Sequence, residues 1–167
     1  MYPDRFAYSV SHTSRAPREG EVDGVHYHFV DREKFEWMIQ NNKLLEYAQV
    51  HGNYYGTSFE SIREVERSGK ICILDLNIDG AIAVSKSNLK PFIIFLRPVS
   101  LQALERRLRQ RGTESEEAVQ KRMHTAEEEM RRFEENKSVW DIVIVNDRLE
   151  QTLIEISSEL FKRYKLP

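Results

Sequence analysis

Three short, continuous apolar runs constrain the fold of this chain more than any other feature. They occupy residues 71–74, 92–96 and 142–145. Each run is apolar at every position instead of alternating with polar residues, which is typical of strands buried on both faces in a parallel sheet. Leucine and isoleucine recur at helical spacing after the second and third runs, over 101–108 and 149–160. The sequence therefore predicts an α/β protein with a parallel sheet flanked by helices.

The stretch from Phe6 to about residue 57 has a different pattern, with short strands separated by turns. Asp23-Gly24 favours a tight hairpin turn between the apolar positions on either side of it. Asp31 is placed to cap a helix that ends near Asn41, and residues 44–50 are typical of a strand. This region therefore predicts a small β-rich insert placed before the sheet.

Helix-starting signals also mark the later segments. A helix is predicted from about Ser58 to just before Gly69. Further on, Thr113 and Glu116 have the spacing of a capping box, which would open a highly charged helix running to about residue 136. The order of elements after residue 57 is therefore helix, strand, helix, strand, helix.

Charge and cysteine content exclude several classes of protein. The formal net charge is -2, so the composition predicts no general attraction to nucleic acid or to an anionic membrane surface. No apolar run approaches the roughly 20 residues that a membrane-spanning helix needs, and the first five residues show no signal-peptide pattern. The single cysteine, Cys72, excludes an internal disulfide. These observations predict a cytosolic protein.

The segment 9–18, Ser-Val-Ser-His-Thr-Ser-Arg-Ala-Pro-Arg, combines hydroxyl groups with two arginines three residues apart. Guanidinium groups match phosphate oxygens in a bidentate geometry, so Arg15 and Arg18 could hold one phosphate, with Pro17 stiffening the backbone. A solvated polar loop explains the same stretch, and on this stretch alone it is the simpler interpretation.

A second candidate group is Glu46 together with the motif at 52–57, Gly-Asn-Tyr-Tyr-Gly-Thr. A carboxylate can accept hydrogen bonds from both the N1–H and the exocyclic amine of guanine, a donor pair that adenine does not present. A phenol such as that of Tyr55, or of Tyr27, can donate to a phosphate. The alternative is a hairpin with packed aromatic side chains.

Two further groups have the chemistry of phosphoryl transfer. Asp75 directly follows the apolar run at 71–74, and α/β sheets place ligands at the carboxyl ends of their strands. Such an aspartate can hold Mg²⁺, often through water, or can serve as a turn or cap residue. The arginines at 106–111, with Arg122 beyond them, could neutralise charge on a transferred phosphoryl group, or could form a solvated basic helix face.

Taken together, the order and spacing of these motifs closely resemble those of guanylate kinases over nearly the whole chain, from about Phe6 to Tyr164. The resemblance rests on the strings at 9–18, 20–29, 45–48, 52–57, 73–75, 111–117 and 143–147. It implies a P-loop nucleoside monophosphate kinase-like fold and reversible transfer of the γ-phosphoryl group of ATP to GMP, with Mg²⁺ accompanying ATP.

The resemblance also implies roles for individual residues. The guanine base would be read by Ser11, Glu46 and Thr57. The GMP phosphate would be held by Arg15, Arg18, Tyr27 and Tyr55. Asp75 would lie near Mg²⁺ and the acceptor nucleotide. The ATP phosphates would meet Arg107, Arg111 and Arg122, and Asn146 would lie near the adenine. Within one domain, the GMP-binding region would be 6–57, the core 58–105 and 137–167, and the lid with its following helix 106–136.

This chain departs from the family pattern in two ways. At 75–80 it reads Asp-Leu-Asn-Ile-Asp-Gly, so Asn77 replaces a family aspartate and Asp79 replaces a glutamine. The chain also contains no G-x-x-x-x-G-K-[ST] string, whose backbone N–H groups and lysine cradle ATP phosphates. The resemblance therefore implies that the family's first strand, phosphate loop and first helix are absent, and that the loss of a central strand exposes sheet edges that a protein partner could cover.

Three hypotheses remain open at this stage. The chain is a guanylate kinase portion that supplies the GMP site and the lid but is poorly active alone. Alternatively, it is a catalytically inactive guanylate kinase-like module that binds GMP or a phosphorylated peptide. The third hypothesis is a general anion-binding α/β domain without catalysis, and the density of matched positions argues against it.

Overall fold

The computed structural model describes residues 4–50, 52–112 and 115–165, with the side chain of Arg111 left undescribed. The chain forms two compact units with a boundary between Leu89 and Lys90. In the first unit the elements are β1 Phe6–Tyr8, β2 His12–Thr13, β3 His28–Phe29, α1 Arg32–Gln40, β4 Leu44–Val50, β5 Asn53–Ser58, α2 Phe59–Arg67, β6 Ile71–Ile73 and α3 Ile78–Ser85. In the second they are β7 Ile94–Arg97, α4 Leu101–Arg111, α5 Glu116–Glu135, β8 Ile142–Val145 and α6 Leu149–Tyr164. The assignment of all 167 residues to one domain with three functional regions stays a prediction.

The β-rich region of the first unit is a four-stranded sheet in the order β3-β2-β5-β4. Strand β5 pairs antiparallel with both β2 and β4, whereas β3 lies parallel to β2. The hairpin predicted at Asp23-Gly24 is therefore wrong. The Asp23 carboxylate instead accepts a hydrogen bond from the backbone N–H of Phe29 at 2.8 Å, and Gly24, with φ +73°, donates to the Tyr27 carbonyl at 2.8 Å. These bonds close a local turn that directs β3 alongside β2.

Helix α1 packs on one face of this sheet. As predicted, Asp31 caps it, its side chain accepting a hydrogen bond from the backbone N–H of Lys34 at 2.6 Å. Phe35, which is 0% exposed, stacks on the Tyr54 ring with centroids 5.1 Å apart. Gly56 permits this close packing, because a methyl group there would lie 2.7 Å from the Glu46 carbonyl oxygen and 3.2 Å from Phe35. The opposite face of the sheet carries the candidate site.

A separate parallel pair completes the sheet structure of the first unit. Strand β1 pairs with β6 in a register that opposes Phe6 to Ile71 and Tyr8 to Ile73. The predicted strand and the helix before it are confirmed, since α2 begins with Ser58 as its cap and packs against β6. After β6 the chain passes Asp75 and enters α3, whose first turn becomes important for the site.

The second unit contains the other parallel pair, in which β7 opposes β8 from Ile94–Ile142 to Arg97–Val145. The predicted strand at 92–96 is displaced to 94–97, because Asp141 binds the backbone N–H of Ile93 at 2.7 Å before the ladder begins. Helices α4 and α5 share an apolar core made by Leu108, Val119 and Met123, with Leu101 and Leu104 packed against it.

The start of α5 differs from the prediction. Ser115 caps the helix by accepting a hydrogen bond from the Ala118 backbone N–H at 3.2 Å. The predicted cap, Thr113, lies outside the described residues. Ser115 is as good a cap chemically, and its position starts the helix at Glu116.

Within the described residues, no helix has both the length and the apolar character that a membrane crossing requires. The cytosolic location stays a prediction.

Candidate functional site

Strand pairing places several of the predicted side chains on one face of the four-stranded sheet. Glu46 and Thr57 are opposed across β4 and β5, and opposed residues of an antiparallel pair project from the same face. Tyr55 lies two residues before Thr57 on β5, so it shares that face as well. Tyr54 and Gly56 point to the other face, where they contact Phe35 of α1. The site face therefore lies opposite α1.

At one end of this face, aromatic rings surround the Arg15 guanidinium. Its Cζ atom lies 5.6 Å from the Tyr27 ring centroid and 5.7 Å from that of Phe29. Tyr55 forms a side-chain hydrogen bond with Arg15, and its ring meets that of Tyr27 edge-on at 6.0 Å. Three residues predicted to bind a phosphate thus converge. We call Arg15, Tyr27 and Tyr55 the phosphate cluster.

Glu21 orients the phosphate cluster, and sequence reasoning missed it. One carboxylate oxygen accepts from Arg15 Nη2 at 2.8 Å, and the other accepts from the backbone N–H of Arg18 at 2.7 Å. The bond from Arg15 is the main cause that lowers the pKa of Glu21 to about 2, and the same bond raises the pKa of Arg15. The only signal in the sequence is a carboxylate three residues after Arg18, next to Gly20.

Arg18 and Ser11 are each held through a backbone hydrogen bond. The Arg18 side chain is exposed, while its N–H is bound by Glu21. The Ser11 carbonyl accepts a hydrogen bond from the backbone N–H of His28 at 2.9 Å, which fixes the approach to β2. Their predicted ligand roles stay predictions, because these contacts position the chain and leave the two side chains unassigned.

At the other end of the site face, Glu46 and Thr57 form a second group, the base cluster. The Glu46 carboxylate accepts hydrogen bonds from both the side chain and the backbone of Thr57, which is 1% exposed. Burial raises the pKa of Glu46, and the two hydrogen bonds from Thr57 partly oppose that rise. The result is a half-buried carboxylate held in one orientation by a fully buried neighbour.

Helix α3 brings the segment after β6 against the base cluster. A methyl group at Gly80 would lie 3.1 Å from Glu46 Oε2, so the helix backbone approaches the carboxylate closely. Asn77, one of the two departures from the family pattern, caps α3 by accepting from the Gly80 backbone N–H at 2.8 Å. An asparagine serves this capping role as well as an aspartate does. Asp79, the other departure, lies in the first turn of α3.

Asp75 is exposed and lies two residues before this cap. A single carboxylate at this position fits Mg²⁺, which is usually bound by one or two carboxylates together with waters and substrate phosphates. Among the described residues, no group of three or more His, Cys, Asp or Glu side chains is placed to hold a metal ion. At a site of this kind, water and substrate phosphates supply the remaining Mg²⁺ ligands.

In the second unit, Arg107 and Asn146 lie together. Arg107 Nη1 donates to the Asn146 carbonyl at 2.7 Å, and Nη2 donates to the Asp147 carbonyl at 2.5 Å. The Asn146 side chain accepts from Thr152 at 3.3 Å. Arg122 is exposed on α5, and the side chain of Arg111 lies outside the described part of the chain. The structure thus joins two of the four predicted residues of this unit.

Comparisons with known proteins agree with the fold. A family model described as guanylate kinase matches residues 1–163. A protein named guanylate kinase 1 from rice is 51% identical over 149 residues, covering 89% of this chain and 39% of that protein. A guanylate kinase from Bacillus cereus is 46% identical over 146 residues, covering 87% of this chain and 69% of the relative.

Among solved structures, a crystal structure of guanylate kinase from Anaplasma phagocytophilum superposes with a TM-score of 0.71 at 31% identity. That match covers 95% of this chain and 76% of the other. The chain spans 39% and 38% of the length of the rice relative and its Arabidopsis thaliana counterpart.

Proposed function

The chain belongs to the guanylate kinase family, and we propose that it binds GMP as the acceptor in transfer of the γ-phosphoryl group of ATP, a reaction that gives GDP and ADP. The main support is the shared sheet face on which the phosphate cluster and the base cluster lie. Tyr55 belongs to one cluster and Thr57 to the other, and they are two residues apart on one strand. The two residues are about 7 Å apart along the strand, which places the two clusters next to each other on one face.

The base cluster supports a preference for guanine. An ionised Glu46 can accept hydrogen bonds from N1–H and the exocyclic amine of the base, whereas adenine offers no such donor pair. The two hydrogen bonds from Thr57 hold the carboxylate in place before the ligand arrives. Because the group is half-buried, each charge-assisted bond to the base is stronger there than in water. Ser11 is proposed as the third reader of the base.

The phosphate cluster supports the binding of a dianionic phosphate. Arg15 presents a guanidinium fork whose orientation Glu21 already restricts, and the phenols of Tyr27 and Tyr55 can donate to remaining phosphate oxygens. Arg18 lies three residues from Arg15, on the segment that Glu21 closes. This arrangement lowers the ordering cost of binding, since Glu21 already positions Arg15.

For the donor nucleotide, we propose that Asp75 holds Mg²⁺ through water, with the ion screening the negative charge of the ATP phosphates. Arg107, Arg111 and Arg122 would neutralise charge on the transferred group, and Asn146 would lie near the adenine. Arg107 makes three hydrogen bonds, to the carbonyls of Asn146 and Asp147 and to the Asp147 carboxylate, so it retains two of its five N–H donors for a phosphate oxygen.

A second candidate function is binding without phosphoryl transfer, to GMP or to a phosphorylated peptide. The sequence feature that favours it is the absence of any G-x-x-x-x-G-K-[ST] string in these 167 residues. Because the backbone and lysine of such a loop cradle the β- and γ-phosphates, we expect very low turnover from this polypeptide alone. Glu46 and Thr57 favour a nucleotide, since a phosphopeptide contains no base for these side chains to recognise.

The deciding experiment is calorimetric titration of the 167-residue chain with GMP, AMP and a phosphoserine peptide, followed by a coupled ADP-release assay with ATP, Mg²⁺ and GMP. We expect GMP to bind more tightly than AMP or the peptide. Equal affinity for GMP and AMP would contradict the proposed role of Glu46. Robust turnover would contradict the expectation of low activity, while leaving GMP as the acceptor.

A further inference from the structure

Gly80 lies in the first turn of α3, directly against the carboxylate of Glu46. A methyl group at this position would be 3.1 Å from Glu46 Oε2, 3.3 Å from Asn77 Oδ1 and 3.3 Å from Leu76 Cβ. Gly80 is buried and helical, and its φ is not in the left-handed region. Backbone conformation therefore gives no reason for glycine, which in a helix is about 1 kcal/mol less favourable than alanine.

We propose that Gly80 is a positioning residue for guanine recognition: its missing side chain leaves the space in which the Glu46 carboxylate takes its binding orientation. This inference rests on the proposed function, since it concerns how the base cluster is held. In this arrangement Thr57 holds Glu46 from one side by hydrogen bonds, and the bare backbone of α3 bounds it on the other.

Of the three neighbours of an added methyl group, Glu46 is the one that would move. Asn77 Oδ1 is occupied as the helix cap, with its 2.8 Å bond from the Gly80 N–H, and shifting it would weaken the start of α3. The Leu76 contact is made by Cβ, which moves only with the backbone. Glu46 Oε2 is the end of a side chain with three rotatable bonds, so the strain passes to the carboxylate.

A displaced carboxylate weakens the binding of guanine and leaves the affinity for other ligands unchanged. Recognition of the base uses both carboxylate oxygens at once, so a displaced carboxylate weakens at least one charge-assisted hydrogen bond. The shift required at Gly80 is a few tenths of an ångström, and we expect about a tenfold loss of GMP affinity in Gly80→Ala. AMP presents no donor pair to Glu46, and its affinity should not change.

The test is a set of calorimetric titrations with GMP and with AMP on the 167-residue chain. The variants are Gly80→Ala, Glu46→Asp and the double variant. Glu46→Asp retracts the carboxylate by one methylene and frees the space that a methyl group would take. We expect the two changes to be non-additive, with Glu46→Asp costing much less when it is added to Gly80→Ala than when it is made in the wild type. Fully additive costs would overturn the proposal.

A matched control separates positioning from helix stability. Ala83→Gly changes the helix propensity of α3 at an exposed position. We expect it to lower the melting temperature with no change in the ratio of GMP to AMP affinity, whereas Gly80→Ala should lower that ratio without lowering the melting temperature. If Gly80→Ala weakens both ligands equally, or unfolds the chain both alone and together with Glu46→Asp, Gly80 serves only packing and the proposal is wrong.

The two proposals fail in distinguishable ways. A wild-type chain with no preference for GMP over AMP overturns the proposed function and this inference together. A wild-type chain that prefers GMP, with the preference intact in Gly80→Ala, overturns this inference alone.

Discussion

The two clusters of the site face depend on two carboxylates, Glu21 and Glu46, whose pKa values are shifted in opposite directions. Glu21, in the ion pair with Arg15, has its pKa lowered to about 2, while burial raises the pKa of Glu46. Glu21 is therefore ionised at every ordinary pH and serves as a fixed anchor for an arginine. Glu46 carries a charge that its surroundings disfavour, which ligand donors can then stabilise. The opposite pKa shifts therefore distinguish Glu21, which orients the site, from Glu46, which we propose contacts the ligand.

The largest effect should come from removing the cation of the phosphate cluster. In Arg15→Ala, the ligand phosphate loses the best-positioned guanidinium, and charge-assisted bonds of roughly 3 kcal/mol correspond to about a 100-fold loss of affinity. GMP and AMP should weaken alike, because both carry the same phosphate. Titration calorimetry measures this, with Arg63→Ala on the exposed surface of α2 as the matched control. A loss of affinity confined to GMP would show that Arg15 acts on the base and would contradict its assignment to the phosphate.

The next effect concerns the base cluster. Glu46→Gln keeps the shape of the side chain but replaces a double acceptor with a group that also donates, so one guanine N–H meets a donor. We expect about a 30-fold loss of GMP affinity, corresponding to roughly 2 kcal/mol, with no loss of AMP affinity. Glu64→Gln, at an exposed position of α2, is the matched control. Parallel losses for GMP and AMP would place Glu46 outside the base-reading site.

Lowering the pH tests the role of Glu46 without any substitution. GMP is read by the ionised form of Glu46, whose pKa is raised, so the affinity should fall as the pH drops through that raised value, by at most about tenfold per pH unit. The ratio of GMP to AMP affinity isolates this effect, since the two ligands share the titration of their phosphate. The ratio should lose its pH dependence in Glu46→Gln. A ratio that stays constant from about pH 7.5 to about pH 4.5 in the wild type would contradict the assignment.

Much of this arrangement could be predicted from local sequence, and the rest depends on contacts between distant segments. The apolar run at 71–74 and the cap at Asp31 predicted β6 and α1, because burial and capping act within a few residues. The contact of Gly80 with Glu46 joins residues on α3 and β4, and no periodicity reveals it. The hairpin predicted at Asp23-Gly24 was wrong for a related reason. The Asp23 carboxylate accepts a hydrogen bond from the backbone N–H of Phe29, six residues later.

The candidate site shows the same division. Tyr55 and Thr57 could be placed on one face from the alternation of a strand, and Glu46 joins them once β4 is paired with β5. The pairing of Arg15 with Glu21 could not be predicted, because the turn that brings them together depends on the path of a loop with no repeating pattern. Residues that bind a ligand are thus easier to find from sequence than residues that hold those ligand-binding residues in place.

The smallest effect should come from Glu21→Gln, which removes the anchor charge but keeps an oxygen for the Arg18 N–H. Because the folded pKa of Glu21 is about 2, below the ordinary value of 4.5, the ion pair stabilises the fold fully above about pH 4.5, and that stabilisation is lost as the pH falls towards 2. The wild type should therefore lose more stability than Glu21→Gln between these two pH values, measured as the midpoint of urea unfolding.

Glu19→Gln, exposed on the same loop, is the control and should follow the wild type. If Glu21→Gln also follows the wild type, the ion pair does not hold the loop, and the orientation of Arg15 must come from its other contacts, including those with the Ala16 carbonyl and the rings of Tyr27 and Phe29.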